Sequence, residues 1–396
     1  MALSQEEFDP RCIGHGGFDV CKGVRDLAIP IANPKAQIAA LGDEITAAVR
    51  EVIESCQFVG GPYVAALEEE VAAACDAKYG IAVNSGTDAI TIALAACGVG
   101  PGDEVITTPF TFVATTESIV LLGAKPVYVD IEPDTFNLDH SLVASKITSK
   151  TKAILPVHLY GQCCNISKIQ EIADQHGLKL VADGAQAIGS RHLGRGIGAY
   201  GDAATLSFYV TKNLGGCGDG GMILTNNEEL ATVAKQLRSH GQDSTYSYIR
   251  VGFCSRLDGI QAAILRVKLR RLQAWNEARR ANAEYYIRSF EGLPIGIPVA
   301  RPENYHIYHQ FTIRHPRRDE LKAKLAERGV GSAVYYPSPL HLERAYAYLG
   351  HKQGDFPEAE KAAAEVLSLP VLPELTTTER EEVAGGVRAA VEELIN

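Results

Sequence analysis

The sequence predicts an α/β fold: a large domain on a mixed, mostly parallel sheet of about seven strands, followed by a smaller C-terminal α+β domain. Three observations carry this. Short β-rich runs alternate with longer helical patterns up to about residue 255, which is the signature of βαβ units. The β-rich runs are nearly continuous in apolar residues, as strands buried on both faces must be. At 396 residues, the chain also exceeds the roughly 250–300 residues at which single cores stop growing.

Residues 1–28, with GHGG and scattered polar side chains, show no steady hydrophobic period and read as an N-terminal extension. The large domain is placed at 29–256. Its strands are IAVN (81–84), DEVITTP, KPVYVDI, TKAILPV, LKLVADG, ATLSFY and GGMILTN. Helical patterns separate them at TDAITIALAAC, near 113–123, at SLVASKI and near 165–176. From Asp258 to Phe290, apolar residues at helical spacing run among seven bases: Arg266, Lys268, Arg270, Arg271, Arg279, Arg280 and Arg288. This is read as a linking helix with a solvated basic face, subunit contacts being the alternative. The small domain completes 257–396 with YHIYHQFTIRH, the helix RDELKAKLAERG, SAVYYP and the closing helix TEREEVAGGVRAAVEELI.

Composition narrows the function. The formal net charge of −10 repels nucleic acid and anionic lipid, so any phosphate must be caught by a local site and the expected partner is a small molecule. No apolar run approaches the 18 or so residues of a membrane span, and MALSQEEFDPRC has acidic residues where a secretory leader starts basic. A cytoplasmic protein is expected. The nine cysteines form no CxxC pair and no zinc spacing, so they are expected to be free thiols with no metal site.

Four local features suggest chemistry, each with a plainer explanation. Asn84-Ser85-Gly86-Thr87-Asp88 sits where a strand gives way to a helix, which makes an anion site or simply an N-capped turn. Asp183 ends the apolar strand LKLVADG, ahead of Gln186. A carboxylate there can hold a proton on a pyridine nitrogen, or it can cap a helix. In Ser207-Phe208-Tyr209-Val210-Thr211-Lys212, a β-rich run stops at a lysine able to form an imine with an aldehyde, while Ser207 offers a hydroxyl to phosphate. The following GGCGDGG matches a dinucleotide fingerprint in letters only, because a strand and not a helix comes next. Finally, Phe112 offers a flat face for a ring to stack on, or a core packing residue.

In this order and spacing, the stretches NSGTDAI, GPGDEVITTPFTFVAT, PVHLYGQ, DGAQAIGS, SFYVTKNLG, GDGGMILTN, RSHGQD, SRLDGIQAAILRVKL and YYPSPLH resemble the fold type I enzymes that use pyridoxal 5′-phosphate (PLP). Within them, they resemble the nucleotide-sugar aminotransferases of the DegT/DnrJ/StrS group. The resemblance covers about Ile29 to Asn396. It implies that Lys212 is the Schiff-base lysine and proton shuttle, Asp183 the partner of the pyridine nitrogen and Gln186 a hydrogen-bond partner of the ring hydroxyl. It further implies that Phe112 stacks on the ring and that Gly86, Thr87 and Ser207 hold the phosphate, with Thr211 lining the same pocket. For the substrate it points to His158, Tyr160, Arg256, Tyr335, Tyr336 and His341.

The implied activity moves an amino group from an amino acid, glutamate in most of the family, to a nucleotide-linked keto sugar, in a homodimer whose active sites draw on both subunits. HGQD, SRLDGIQAAIL and YYPSPLH resemble members acting on UDP-3-keto sugars. The alternatives are a 4-keto sugar or a cyclitol-like ketone, a PLP-dependent sugar dehydratase, which replaces the lysine with histidine, and a non-catalytic regulatory homologue. One position departs from the pattern: the group has Asn in G-x-N-S-R-L-D, reaching the partner's phosphate, where this chain has Cys254. A thiol is a weak donor, which puts that contact in doubt.

Overall fold

The computed structural model describes residues 28–395; the expected N-terminal extension therefore lies outside the described residues except for Ala28. Helices α1 (Pro34–Ser55) and α2 (Gly61–Ala74) lead into β1 (Tyr79–Val83), α3 (Gly86–Ala96), β2 (Glu104–Thr107), α4 (Val113–Leu121) and β3 (Lys125–Tyr128). Next come α5 (His140–Val143), β4 (Thr151–Ile154), α6 (Ile166–His176), β5 (Lys179–Asp183), β6 (Arg191–His192), β7 (Arg195–Gly196), β8 (Ala203–Ser207), β9 (Gly221–Thr225) and α7 (Glu228–Leu237).

The seven apolar runs all enter one sheet, in the order β1-β9-β8-β5-β4-β2-β3. Only β9 runs against the rest, pairing antiparallel with β1 on one side and β8 on the other. Local sequence explains the helices around the sheet. Ser85 caps α3 by accepting the Asp88 N–H, and Asn227 caps α7 by accepting from Glu229 and Leu230. Asn165 caps α6, which ends on Gly177 in the left-handed conformation that glycine adopts at least cost. One face of the sheet buries Ile106, Ile154, Leu180 and Met222, and the other Ile81, Val105, Val181 and Ile223. Each such side chain stabilises the fold by about 1.5–3 kcal/mol.

The chain then makes β10 (Gln242–Ser244) and β11 (Ser247–Tyr248), α8 (Gly259–Leu269) and α9 (Leu272–Ser289). It ends in β12 (Asn304–Tyr305), β13 (Phe311–Arg314), α10 (Arg318–Glu327), α11 (Pro357–Glu365), β14 (Val366–Leu369) and α12 (Thr377–Ile395). The single linking helix expected over 258–290 is in fact two. A turn at Arg270 and Arg271 interrupts it, and α8 packs on α1 and α2 while α9 reaches α12. Nor is its basic face simply solvated. Lys268 and Arg279 are buried, and Lys268 Nζ donates to Gly215 O at 2.7 Å, pinning the glycine-rich loop. Arg266 forks onto Glu70 of α2. Tyr286 of α9 and Phe290 at its C-cap join Phe311, Leu367 and Val387 in a separate C-terminal core, which also takes in Ile29.

Candidate active site

The parallel strands β1, β8 and β5 end on the same edge of the sheet, where open α/β sheets place ligands. This brings together the residues after Val83, at Ser207 and at Asp183. Between β1 and β8 lies Gly221, paired with both Val83 and Ser207. A Cβ on Gly221 would stand 2.2 Å from Ser85 O, so the absence of a side chain there is what lets the α3 turn and Ser207 converge. They converge closely: a Cβ on Gly86 would lie 2.7 Å from Ser207 Cβ and 3.1 Å from its Oγ. Ser85 Oγ takes the Asp88 N–H at 3.0 Å, leaving the N–H groups of Gly86 and Thr87 at the first positions of the helix. Two N–H groups, a helix dipole and a hydroxyl make a cradle suited to a phosphate.

Asp183 is buried, and each carboxylate oxygen already holds one neutral donor: Thr115 Oγ1 at 2.8 Å on Oδ2, and the Ala185 N–H at 3.0 Å on Oδ1. Burial raises its pKa, opposed by those two hydrogen bonds and by Lys212. Lys212 shows the converse. Burial holds its amine down to about 8, and the Asp183 charge limits the fall. An amine and a buried carboxylate that perturb each other at a sheet edge form a candidate catalytic pair. Phe112, at the N-cap of α4, leaves 51% of its surface exposed, as a ring awaiting a flat partner would.

The expected substrate residues divide. Gln186 joins two of them: its Oε1 accepts the Tyr160 N–H at 2.7 Å and its Nε2 donates to Tyr336 Oη at 2.6 Å. Tyr160 and Tyr336 stack with centroids 6.3 Å apart, and both adopt positive φ (55° and 61°), a strain that non-glycine residues carry mainly at functional sites. Tyr335 lies beside them. His158 is buried behind Asp183. Its backbone N–H donates to the Asp183 carbonyl, its Nδ1 accepts the Cys164 N–H, and burial lowers its pKa to about 3, so the ring is neutral. His341 stands apart, buried against Phe356 with Nε2 3.1 Å from Glu360. Arg256 sits with Nη2 3.1 Å from Cys254 Sγ, on a segment tied to Asn84 through Ser255.

The sequence reading missed His309 and its supports. His309 Nδ1 meets Asn213 Oδ1 at 2.9 Å, Asn213 Nδ2 donates to Asn276 Oδ1 at 2.7 Å, and Asn276 Nδ2 donates to the Ile188 carbonyl at 3.1 Å. The terminal carbonyl can only accept, which fixes both amides and makes His309 Nδ1 the donor. Burial, with Lys212 and Arg279 nearby, holds His309 neutral beside the lysine. It also missed Thr115, although TFVAT places a hydroxyl three residues past Phe112.

The residues thus fit PLP part by part: the cradle its phosphate, Asp183 its pyridine nitrogen, Phe112 its ring and Lys212 its aldehyde. Comparison with known proteins points to the same cofactor. A Geobacillus stearothermophilus protein named pleiotropic regulatory protein is 51% identical over 90% of this chain and 97% of its own. The UDP-2-acetamido-2-deoxy-3-oxo-D-glucuronate aminotransferase of Pseudomonas aeruginosa is 45% identical over 87% of this chain and 95% of its own. The crystal structure of NtdA from Bacillus subtilis with bound cofactor PMP superposes with a TM-score of 0.86 at 35% identity, covering 92% of this chain and 85% of that one. PLP is the cofactor, and the fold is that of the fold type I aminotransferases. With the family model matching residues 39–388, the chain belongs to the DegT/DnrJ/EryC1/StrS aminotransferase family.

Proposed function

We propose that this enzyme, a PLP-dependent sugar aminotransferase, moves an amino group from glutamate to the 3-keto group of a nucleotide-linked sugar, working as a cytoplasmic homodimer. The carrying observation is the Lys212–Asp183 pair at the sheet edge beside the Gly86–Ser207 cradle. When bound, PLP supplies an aldehyde to receive the amino group and a ring that withdraws electrons from the reacting carbon. Lys212, whose amine burial brings down to about 8, takes the proton from the donor's α-carbon and returns one to the sugar carbon on the reverse path. Asp183 keeps the ring nitrogen protonated, Gln186 orients the ring hydroxyl, and Gly86, Thr87 and Ser207 hold the phosphate.

The choice of C3 rests on the Pseudomonas relative, whose name specifies a 3-oxo sugar. Tyr160, Tyr335 and Tyr336 are proposed to line the sugar pocket with His158 behind them, and Arg256 to meet the nucleotide-linked substrate. His341 fits that role least, because Glu360 holds its Nε2. A dimer is supported by exposed apolar side chains at Ile53, Phe58, Val59 and Val251. No helix among the described residues is long and apolar enough to cross a membrane.

A screen of keto sugar nucleotides with glutamate, read by product mass, tests the proposal. A one-unit mass gain, the replacement of C=O by CH–NH2, is expected with 3-keto substrates; amination of 4-keto sugars or cyclitol ketones alone overturns the choice of C3. The regulatory name of the Geobacillus relative favours a second reading, a non-catalytic role. Lys212, Asp183 and Ser207 are all present, and turnover in the screen decides against it.

A further inference from the structure

Thr111, Thr115 and Asp183 form a buried chain of side chains, 3%, 0% and 4% exposed respectively. Thr115 Oγ1 lies 2.8 Å from Asp183 Oδ2 and 3.0 Å from Thr111 Oγ1. The direction of this chain follows from proton counting. An ionised carboxylate only accepts, and a hydroxyl has one proton. Thr115 therefore gives its proton to Asp183, and Thr111 must donate to Thr115.

Packing does not require this arrangement, since valine fills the space of threonine at either position without the hydroxyl. The hydroxyls do electrostatic work. A hydrogen bond to one oxygen of a buried carboxylate stabilises the anion over the acid. Thr115 is also placed by structure: its hydroxyl rises from the first turn of α4, the helix that Phe112 begins. The element that presents the stacking ring thus also presents the donor behind the carboxylate.

We propose that Thr115, polarised by Thr111, is a positioning residue that keeps Asp183 a fixed anion, so that the proton shared between Asp183 and the PLP ring nitrogen resides on nitrogen. The inference rests on the reading of Asp183 as the partner of that nitrogen. Without Thr115 the carboxylate is the stronger base, the proton moves toward oxygen, and the ring loses part of its electron-withdrawing power. If instead Asp183 were protonated, the chain would reverse, with Asp183 donating to Thr115 and Thr115 to Thr111; the hydroxyl pair accommodates either state, and ring binding selects the first.

The test uses the holoenzyme loaded with PLP carrying 15N in its ring, whose chemical shift separates protonated from neutral pyridine. In the wild type, the shift is expected at the protonated end. Thr115→Val moves it toward neutral pyridine and lowers kcat by about tenfold to a hundredfold, the effect of one hydrogen bond to a charged group, with KM for the sugar unchanged. Thr115→Ser restores both, and Thr111→Val gives a smaller change of the same sign. A Thr115→Val holoenzyme with the wild-type 15N shift overturns the proposal. Should that variant not accumulate as folded protein, Thr111→Val carries the comparison and an unchanged shift there overturns it equally. Asp183→Asn separates the two levels. If it leaves the shift in place, the reading of Asp183 itself fails; if it moves the shift while the threonine variants do not, only the relay fails.

Discussion

Replacing Gly86 with alanine attacks the phosphate cradle without removing a functional side chain. The new Cβ would arrive 2.7 Å from Ser207 Cβ and 3.2 Å from Ser207 Cα, inside the 3.4 Å at which ordinary contact begins. Ser207 is fixed in β8 and Gly86 in the first turn of α3, so one of them must yield. Such overpacking costs about 1–3 kcal/mol of stability. The cradle suffers more, because a displaced N–H or hydroxyl loses a charge-assisted bond to phosphate worth about 1.5–3 kcal/mol. PLP should bind about tenfold to a hundredfold more weakly. In a thermal melt with PLP at 100 times the wild-type Kd, ligand stabilisation should fall from about 2.7 kcal/mol to about 1.4 kcal/mol or less. Gly42→Ala is the control: Gly42 lies within α1 with nothing within 4 Å of its would-be Cβ, and alanine there should stabilise the protein by about 0.5–1 kcal/mol. A Gly86→Ala protein that binds PLP with wild-type affinity would refute the cradle.

Two further outcomes are expected. Only the neutral Lys212 amine attacks the PLP aldehyde. With burial holding its pKa to about 8, the rate of PLP capture by apo-protein should climb about tenfold per pH unit below 8 and level off above it; stopped-flow absorbance that keeps climbing to pH 10 contradicts the lowered value. Cys254→Asn should restore a strong donor where the family pattern places one, tightening PLP binding in the proposed dimer by about tenfold. Unchanged affinity by equilibrium dialysis means that Cys254 does not reach the partner's phosphate.

The seven-stranded sheet was legible because its signals are local. Each of the seven apolar runs is a strand, and Asp183 and Ser207 fall at strand ends where polar groups interrupt those runs. What the sequence hid depends on distant partners. Nothing in GGMILTN says that it inserts antiparallel between β1 and β8, yet that insertion puts Gly221 where Ser85 and Ser207 can meet. Lys268 looked solvated because its acceptor, Gly215 O, is 53 residues away in sequence. His309 gave no signal at all: its identity as a neutral donor is set by Asn213, Asn276 and a carbonyl at Ile188, from three other segments. In the C-terminal part, SAVYYP makes an isolated bridge, Ala333 with Ser368, and Tyr336, at positive φ, meets Gln186.

The central claim, that this chain does its chemistry through an amine at Lys212, is tested most directly with Lys212→Ala. The wild type is expected to show the absorption band of lysine-bound PLP and to transfer the amino group of glutamate to a keto sugar nucleotide. The variant should be folded, lack the band and transfer nothing. A Lys212→Ala protein that keeps both the band and amino transfer would contradict the account.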